Sequence, residues 1–494
     1  MDDRLMYRRD LFIGGVWAPP ASHDRLRVIS PSTEEIVGEV PLATTADMDR
    51  AVGAARSAFD DGPWPRMAPG DRADVLARAA AVLRTREAEI AGVTVDEMGC
   101  AISQAPRAQT GMVAALFDYY AQLSRTFEFE REVIAGERTA LVTNEPAGVV
   151  AAIIPWNAPV TLACWKAAPA LAAGCAVVIK PPPEAPLSNF ILAEALAEAG
   201  LPPGVVSVVP AGREVGEHLV THPGTDKVAF TGSTAAGKRI MSLCGDQVKR
   251  VSLELGGKSA AIVLDDADLA GVVPVLVSGA MHLSGQVCGA HTRVLVARSR
   301  YAEAVEAAAA AAAAVRVGDP HDPSTLVGPL VAERQRDRVE GYIALAVDAG
   351  ATVAAGGARP AHLERGWYVA PTVLADVDNS MRVAREEIFG PVLCLIPYDD
   401  DADAVRIAND SPYGLAGGVW TGDPVRGLRI ARGMRTGSVA VNGCYPPFPL
   451  VPFGGFKESG IGRELGPEGL RNFLEPRSIG LPASLRSVAA RKLS

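Results

Sequence analysis

Cys288, in Ser284-Gly285-Gln286-Val287-Cys288, is the one cysteine of seven that follows a small, flexible, polar leader. Glycine lets a backbone approach a ligand closely and leaves little bulk beside a sulfur, which is what a thiol nucleophile needs. Glu254 lies between apolar residues in Leu253-Glu254-Leu255-Gly256-Gly257-Lys258. A carboxylate there is costly unless paired or used, at raised pKa, as a general base. A salt bridge to Lys258 or Arg250 and a catalytic base are therefore equally open. Asn157, in Pro155-Trp156-Asn157-Ala158-Pro159, offers an amide donor, although on local sequence alone a plain turn asparagine is favoured. In Phe230-Thr231-Gly232-Ser233-Thr234-Ala235-Ala236-Gly237 a strand ends in a glycine turn and a helix begins. Such a junction can hold phosphate on backbone N–H groups, but its spacing matches neither Gly-x-Gly-x-x-Gly nor a P-loop.

Cys100, Cys164, Cys175, Cys244, Cys394 and Cys444 form no CxxC pair and no zinc-like spacing with histidine, so no metal is expected. Each reads as a small buried apolar residue. An odd, scattered set fits reduced thiols in a cytoplasmic setting. His291, three residues past Cys288, either perturbs the thiol or sits in a neighbouring strand. His23, His218, His222, His321 and His362 show no constellation and read as solvated.

The elements that must carry these residues follow from length and pattern. At 494 residues the chain exceeds a single core and should divide into two or three domains. Its 48% apolar and 21% charged composition is that of a folded protein, and a formal charge of −9 gives no footprint for nucleic acid or an anionic membrane. Met1-Asp2-Asp3-Arg4 is not the start of a secretory signal, and no segment reaches the roughly 20 apolar residues of a membrane span. The run Ala307 to Ala314 reads as helix.

Leu76, Ala80, Leu83 and Ile90 recur at helical spacing and predict one helix over 71–91. The apolar run 176–179, a helix capped by Ser188 and ending at Gly200, and the run 205–209 form a βαβ pattern. The pattern repeats at 227–231 and 250–254, as in a nucleotide-binding α/β domain. Residues 127–144 instead alternate about a Gly136-Glu137 turn and predict a β-hairpin. Beyond Gly257, strands from 260–264 to 437–442 define a second α/β domain that carries Cys288.

Six segments in order together resemble the aldehyde dehydrogenase superfamily: Pro155-Trp156-Asn157, Phe230-Thr231-Gly232-Ser233, Glu254-Leu255-Gly256-Gly257-Lys258, Gly285-Gln286-Val287-Cys288, Glu386-Glu387-Ile388-Phe389-Gly390-Pro391 and Pro452-Phe453-Gly454-Gly455-Phe456-Lys457-Glu458-Ser459-Gly460. The resemblance implies an α/β fold with a Rossmann-like cofactor domain (1–126 and 145–256), a catalytic domain (257–457) and a bridging β-arm (127–144 and 473–494). Exposed strand edges on such an arm imply a homodimer or homotetramer.

It also implies that Cys288 attacks an aldehyde carbon, that Asn157 and the Cys288 N–H hold the oxyanion, that Glu254 activates water, and that Glu464 relays its proton, a surface carboxylate being the alternative for Glu464. Cofactor contacts would come from Ile153, Pro155, Trp156, Lys180, Glu184, Gly212, Phe230, Thr231, Gly232, Ser233, Gly237, Leu255, Gly256, Glu387 and Phe389. NAD-preferring relatives often carry Lys-x-x-Glu, whereas Lys180-Pro181-Pro182-Pro183 puts Glu184 one place later. NAD is expected, with NADP the alternative. The presence of Glu254 favours release of a free acid over transfer of the acyl group to coenzyme A. Trp165, His282, Tyr445 and Phe448 would line the substrate mouth and favour an apolar aldehyde. Ala158 is small where an aromatic often stands, and Leu283 replaces a common asparagine.

Overall fold

A computed structural model of the chain describes residues 6–482 and Leu485. The short apolar runs become strands buried on both faces, covered by helices. Across the first sheet the order is Gly460–Ile461, Arg250–Glu254, Lys227–Thr231, Val149–Ile153, Ala176–Lys180, Val206–Val208, Leu11–Ile13 and Val16–Ala18. The five strands between 149 and 254 are parallel. The chain steps outward from 149–153 through 176–180 to 206–208, then crosses back to 227–231 and 250–254. That reversal opens a crevice beyond the carboxyl ends of 149–153 and 227–231, where open α/β sheets bind ligands. Helix Pro159–Ala173, which leaves the crevice, is buried at every position except Trp165.

The second sheet orders Thr352–Ala355, Thr372–Ala375, Val392–Tyr398, Arg293–Ala297, Ala260–Val263, Ala416–Trp420 and Ser438–Val441, all parallel except the antiparallel first strand. The hairpin Glu130–Ala135 and Arg138–Pro146 turns at Gly136 with φ +61° and gains a third strand, Leu474–Leu481, on its other side. Residues 483–484 and 486–494 of the expected arm, and Met1-Asp2-Asp3-Arg4, lie outside the described residues.

Three expectations are corrected. The helix predicted over 71–91 is two helices, Pro69–Thr85 and Glu87–Met98, separated at Arg86 with φ −106° and ψ 7°. Apolar periodicity continues through the break because both helices pack on the same core. Ser188 does not cap its helix; it lies inside Leu187–Glu198. The cap comes from another helix, since the buried Glu97 carboxylate accepts the Leu187 N–H at 2.6 Å and the Ser188 N–H at 3.2 Å. Of the six cysteines expected in the core, five are buried and Cys444 is exposed.

Burial pushes the Glu97 carboxyl up to about 7 from its ordinary 4.5, against the hydrogen bonds from Ser188 and Leu187. The folded state therefore holds this proton more tightly than the unfolded chain. The stability gained from the protonated group is complete below pH 4.5 and is lost as pH rises through 7. Thermal unfolding of the native protein and Glu97→Gln at pH 5 and pH 8 should show the native protein losing ground to the variant at the higher pH. A difference independent of pH would contradict this.

Candidate active site

Cys288 follows a short 3-10 turn, His282–Gly285, in which Leu283, Ser284 and Gly285 all have positive φ (49°, 56° and 73°). Only glycine fits at 285, because a Cβ there would collide with the Gly390 carbonyl. Such backbone is held only when its surroundings over-determine it. Here Ser284 Oγ donates to the Gly328 carbonyl at 2.8 Å, and the Leu283 N–H donates to Gln104 Oε1 at 2.8 Å. The buried Gln286 amide accepts the Val331 N–H at 3.0 Å and donates to the Leu283 carbonyl at 3.1 Å.

Asn157 lies in the loop after strand Val149–Ile153, and its Nδ2 donates to the Gln286 carbonyl at 2.9 Å. This bond ties the amide to the segment presenting the sulfur and leaves the second Nδ2 hydrogen for another acceptor. Gly257 allows Glu254's strand end to approach the same segment, since a Cβ at 257 would collide with the Cys288 carbonyl. Cys288 is half-buried. Burial first, then the Glu387 and Glu254 carboxylates, pushes its thiol up to about 12, against the backbone N–H groups of Gly289 and Cys288. At neutral pH this thiol needs a base.

Glu254 is buried and makes neither salt bridge that its neighbours offered. Arg250 pairs with Glu475, and among the described residues the buried Lys258 ammonium has no hydrogen-bond partner. Glu254 Oε2 is likewise unpartnered. Burial and the nearby Glu464 carboxylate hold its pKa well above the carboxylate range, while Lys166 and Arg463 pull the other way. Glu464 is not on the surface but 3% exposed, paired with the fully buried Lys166 at 2.7 Å. Lys166 also donates to Thr231 Oγ1 at 2.5 Å. No local residue pattern marks this ammonium, which lies in the apolar helix Pro159–Ala173.

Ile153 and Thr231 end the two strands that flank the crevice. Ser233 caps helix Thr234–Asp246, accepting the Ala236 N–H at 3.3 Å, and a helix N-terminus beside a glycine turn such as Gly232 is of the kind that suits an anion. Gly237 packs against Leu255, Gly232 against Phe230, and Gly256 against the Glu387 carboxylate. Glu387 accepts the Gly257 N–H at 3.1 Å, and burial raises its pKa to about 7. Phe389, at φ 64°, meets Trp156 edge to face at 5.2 Å beside Pro155. Burial lowers Lys180 to about 8, and its ammonium donates to the Pro181 carbonyl at 3.1 Å beneath Gly216. The Glu184 carboxylate is paired with Arg334, and Gly212 stands before helix Arg213–Thr221. Backbone N–H groups, carboxylates and flat aromatic surfaces around one crevice fit a dinucleotide.

Beside Val287 and Gly289 opens a cavity of about 550 Å³. His282, Tyr445 and Phe448 line it, and Trp165 stands behind Phe453, edge to face at 5.1 Å. Local pattern did not mark Arg107 and Trp420 as wall residues, and His291 also lines the cavity. Burial and Arg107 lower the His282 pKa to about 4. The histidines expected to be scattered include one cluster: His218 and His222 Nε2 face Asp49 Oδ1 at 2.6 and 3.4 Å. His222 Nδ1 accepts the Gly224 N–H at 3.0 Å, so its Nε2 carries the hydrogen and suits the carboxylate rather than a metal ion.

The aldehyde dehydrogenase family model matches residues 17–479. A geranial dehydrogenase from Castellaniella defragrans is 48% identical over 95% of this chain and 98% of its own. A Mycobacterium tuberculosis aldehyde dehydrogenase solved with NAD+ superposes with a TM-score of 0.95 at 46% identity, covering 97% of this chain and 99% of that one. An aldehyde dehydrogenase C mutant from Pseudomonas syringae, solved with NAD+ and octanal, gives 0.91 at 42% identity over 95% and 96%. The chain belongs to the aldehyde dehydrogenase family, and it is an enzyme that oxidises aldehydes.

The buried Lys166–Glu464 pair can be tested apart from turnover. Lys166→Met strands a buried carboxylate and should cost about 3–5 kcal/mol in denaturant unfolding. Lys166→Met combined with Glu464→Leu should recover most of that loss, and additive losses would show that the two groups do not interact.

Proposed function

We propose that the protein oxidises an aldehyde to its carboxylic acid with Cys288 as nucleophile, Asn157 as oxyanion donor and Glu254 as general base. The carrying observation is the Asn157 Nδ2 bond to the Gln286 carbonyl, which joins the amide to the cysteine's own segment. The Cys288 thiol passes its proton to a base and attacks the aldehyde carbon, and the remaining Nδ2 hydrogen and the Cys288 N–H meet the new oxyanion. NAD, when bound, supplies the hydride acceptor. The thioester left on Cys288 is opened by water, whose proton goes to Glu254 Oε2. Glu464 Oε2, unpartnered beside Lys166, serves as the next acceptor outward.

Ile153, Pro155, Trp156, Lys180, Gly212, Phe230, Thr231, Gly232, Ser233, Gly237, Leu255, Gly256, Glu387 and Phe389 form the NAD cleft in this reading. Glu184, whose carboxylate pairs with Arg334, joins Lys180 at the ribose end of that cleft in this reading. The NAD+ complexes of the two solved relatives support NAD. The apolar part of the cavity wall supports an apolar carbon chain in the substrate. The retained Glu254 supports release of the free acid rather than an acyl-CoA.

The sheets support a cofactor domain over 1–126 and 145–256, a catalytic domain over 257–457, and an arm of 127–144 with 473–494. The open outer edges of the arm, with Ile134 exposed, support a homodimer or homotetramer. Seven unpaired cysteines support a cytoplasmic location. Among the described residues no helix is long and apolar enough to cross a membrane.

Cys288→Ala should abolish NADH formation while retaining NAD binding by fluorescence titration. Glu254→Gln should keep a single burst of NADH and lose steady turnover and acid formation, and the native enzyme should release the acid whether or not coenzyme A is present. Steady turnover in Cys288→Ala, or acyl-CoA as the product, would remove the assignment. Initial rates should be higher with NAD than with NADP, and a strong NADP preference would reverse the cofactor choice.

A further inference from the structure

Helix Glu333–Asp348, which packs on the second sheet, sends two arginines to the two carboxylate-bearing segments of the cofactor cleft. Arg334 and Arg338 are one turn apart and share a helix face. Arg338 Nη2 donates to the Glu387 carbonyl at 2.6 Å and its Nε to the Ile388 carbonyl at 3.3 Å. The Glu387 carboxylate in turn lies against Gly256 and accepts the Gly257 N–H at 3.1 Å, just past strand Arg250–Glu254 of the first sheet. This face of the helix therefore borders the cleft, and Arg334 on it pairs with Glu184, 150 positions away in the chain.

Glu184 follows strand Ala176–Lys180, after three prolines whose fixed φ sets its approach. Its carboxylate also bears on the buried Lys180 ammonium, so acid and cation share one end of the cleft. Beyond the first βα unit of a dinucleotide-binding fold, an acidic side chain takes the ribose 2′-hydroxyl of NAD, and an arginine nearby accommodates the 2′-phosphate of NADP. This chain holds both groups, paired with each other. A lone carboxylate would repel a 2′-phosphate, whereas one already neutralised by a guanidinium does so far less. The Glu184 side chain is 20% exposed and that of Arg334 is 59% exposed. Among the described residues the guanidinium has no other hydrogen-bond partner, so most of its five N–H groups stay free on an open side.

We propose that Arg334 sets the enzyme's choice between NAD and NADP: by neutralising Glu184 it leaves a ribose site that favours a hydroxyl yet admits a phosphate, which its own free N–H groups then bind. This rests on the NAD-cleft reading and adds to it a specificity-determining residue from the second sheet's side of the cleft. Glu184 accepts the 2′-hydroxyl hydrogen of NAD, and the Arg334 guanidinium donates to the phosphate oxygens of NADP. Discrimination against NADP is then weaker than a free glutamate would give.

The test measures dissociation constants of NADH and NADPH for the full-length protein by the fluorescence of the reduced nicotinamide, in the native form and in Arg334→Ala, Arg334→Lys and Glu184→Gln. The native protein should bind both, NADH the more tightly. In Arg334→Ala the NADPH constant should rise by about 10-fold or more, because a charge-assisted hydrogen bond is lost and a carboxylate unmasked. The NADH constant should change by less than about 5-fold, the range of a partly exposed ion pair. Arg334→Lys, which keeps the charge, should retain much of the NADPH binding, and Glu184→Gln should tighten NADPH while weakening NADH. An unchanged ratio of the two constants in Arg334→Ala would overturn the proposal and leave the pair an ordinary surface ion pair, and so would an equal loss of both coenzymes. Native protein that binds NADH and no NADPH would overturn it as well, with the cleft reading standing. Native protein that binds neither would overturn the cleft reading, and this proposal with it.

Discussion

The site depends on negative charge that has almost nowhere to go. Cys288, Glu254, Glu387 and Glu464 bear on one poorly solvated region, and the salt-bridged ammonium within it is that of Lys166. In such surroundings each added anion raises the cost of the next. The thiol therefore stays protonated, and the raised pKa makes the ionised form of Glu254 a stronger base than an exposed carboxylate, so once ionised it gains from taking a proton. Lys166 neutralises Glu464 and keeps that carboxylate from driving Glu254 higher still.

The packing serves this arrangement by letting backbone come unusually close. Gly257 admits the cysteine segment beside the strand end that carries Glu254, and Gly285 admits the leader beside Gly390. Three successive left-handed residues before Cys288 are held by side-chain bonds from distant parts of the chain. Strain in the leader is thus balanced by bonds to Gln104, Asn157, Gly328 and Val331. The Asn157 amide belongs to that network, so the group proposed to meet the oxyanion also orients the segment that bears the nucleophile.

Much of the fold was legible because buried parallel strands leave a strong local signature. Runs such as 176–179 and 227–231 are apolar throughout and bounded by turn residues, and they became strands. The Gly136 hairpin was legible from alternation, whereas the C-terminal part of the arm followed only from the family resemblance, because Leu474–Leu481 pairs with residues more than 300 positions earlier. The break at Arg86 was invisible because both helices bury the same face. The Glu97 cap was invisible for a related reason: helix Leu187–Glu198 is closed by a carboxylate from another helix.

Local residue types and order determined that a cysteine with a glycine leader, a carboxylate among leucines and an amide in a proline-flanked turn were the groups worth following. They also determined the alternation of strand and helix that carries them. Tertiary structure alone decided that Glu254 lacks a counter-ion, that Lys166 answers Glu464 from within an apolar helix, and that His291 and Trp420 share a cavity wall. Such facts concern pairs far apart along the chain. Burial and pairing arise only when distant segments exclude water together, and no local pattern of residues encodes which partner will be there.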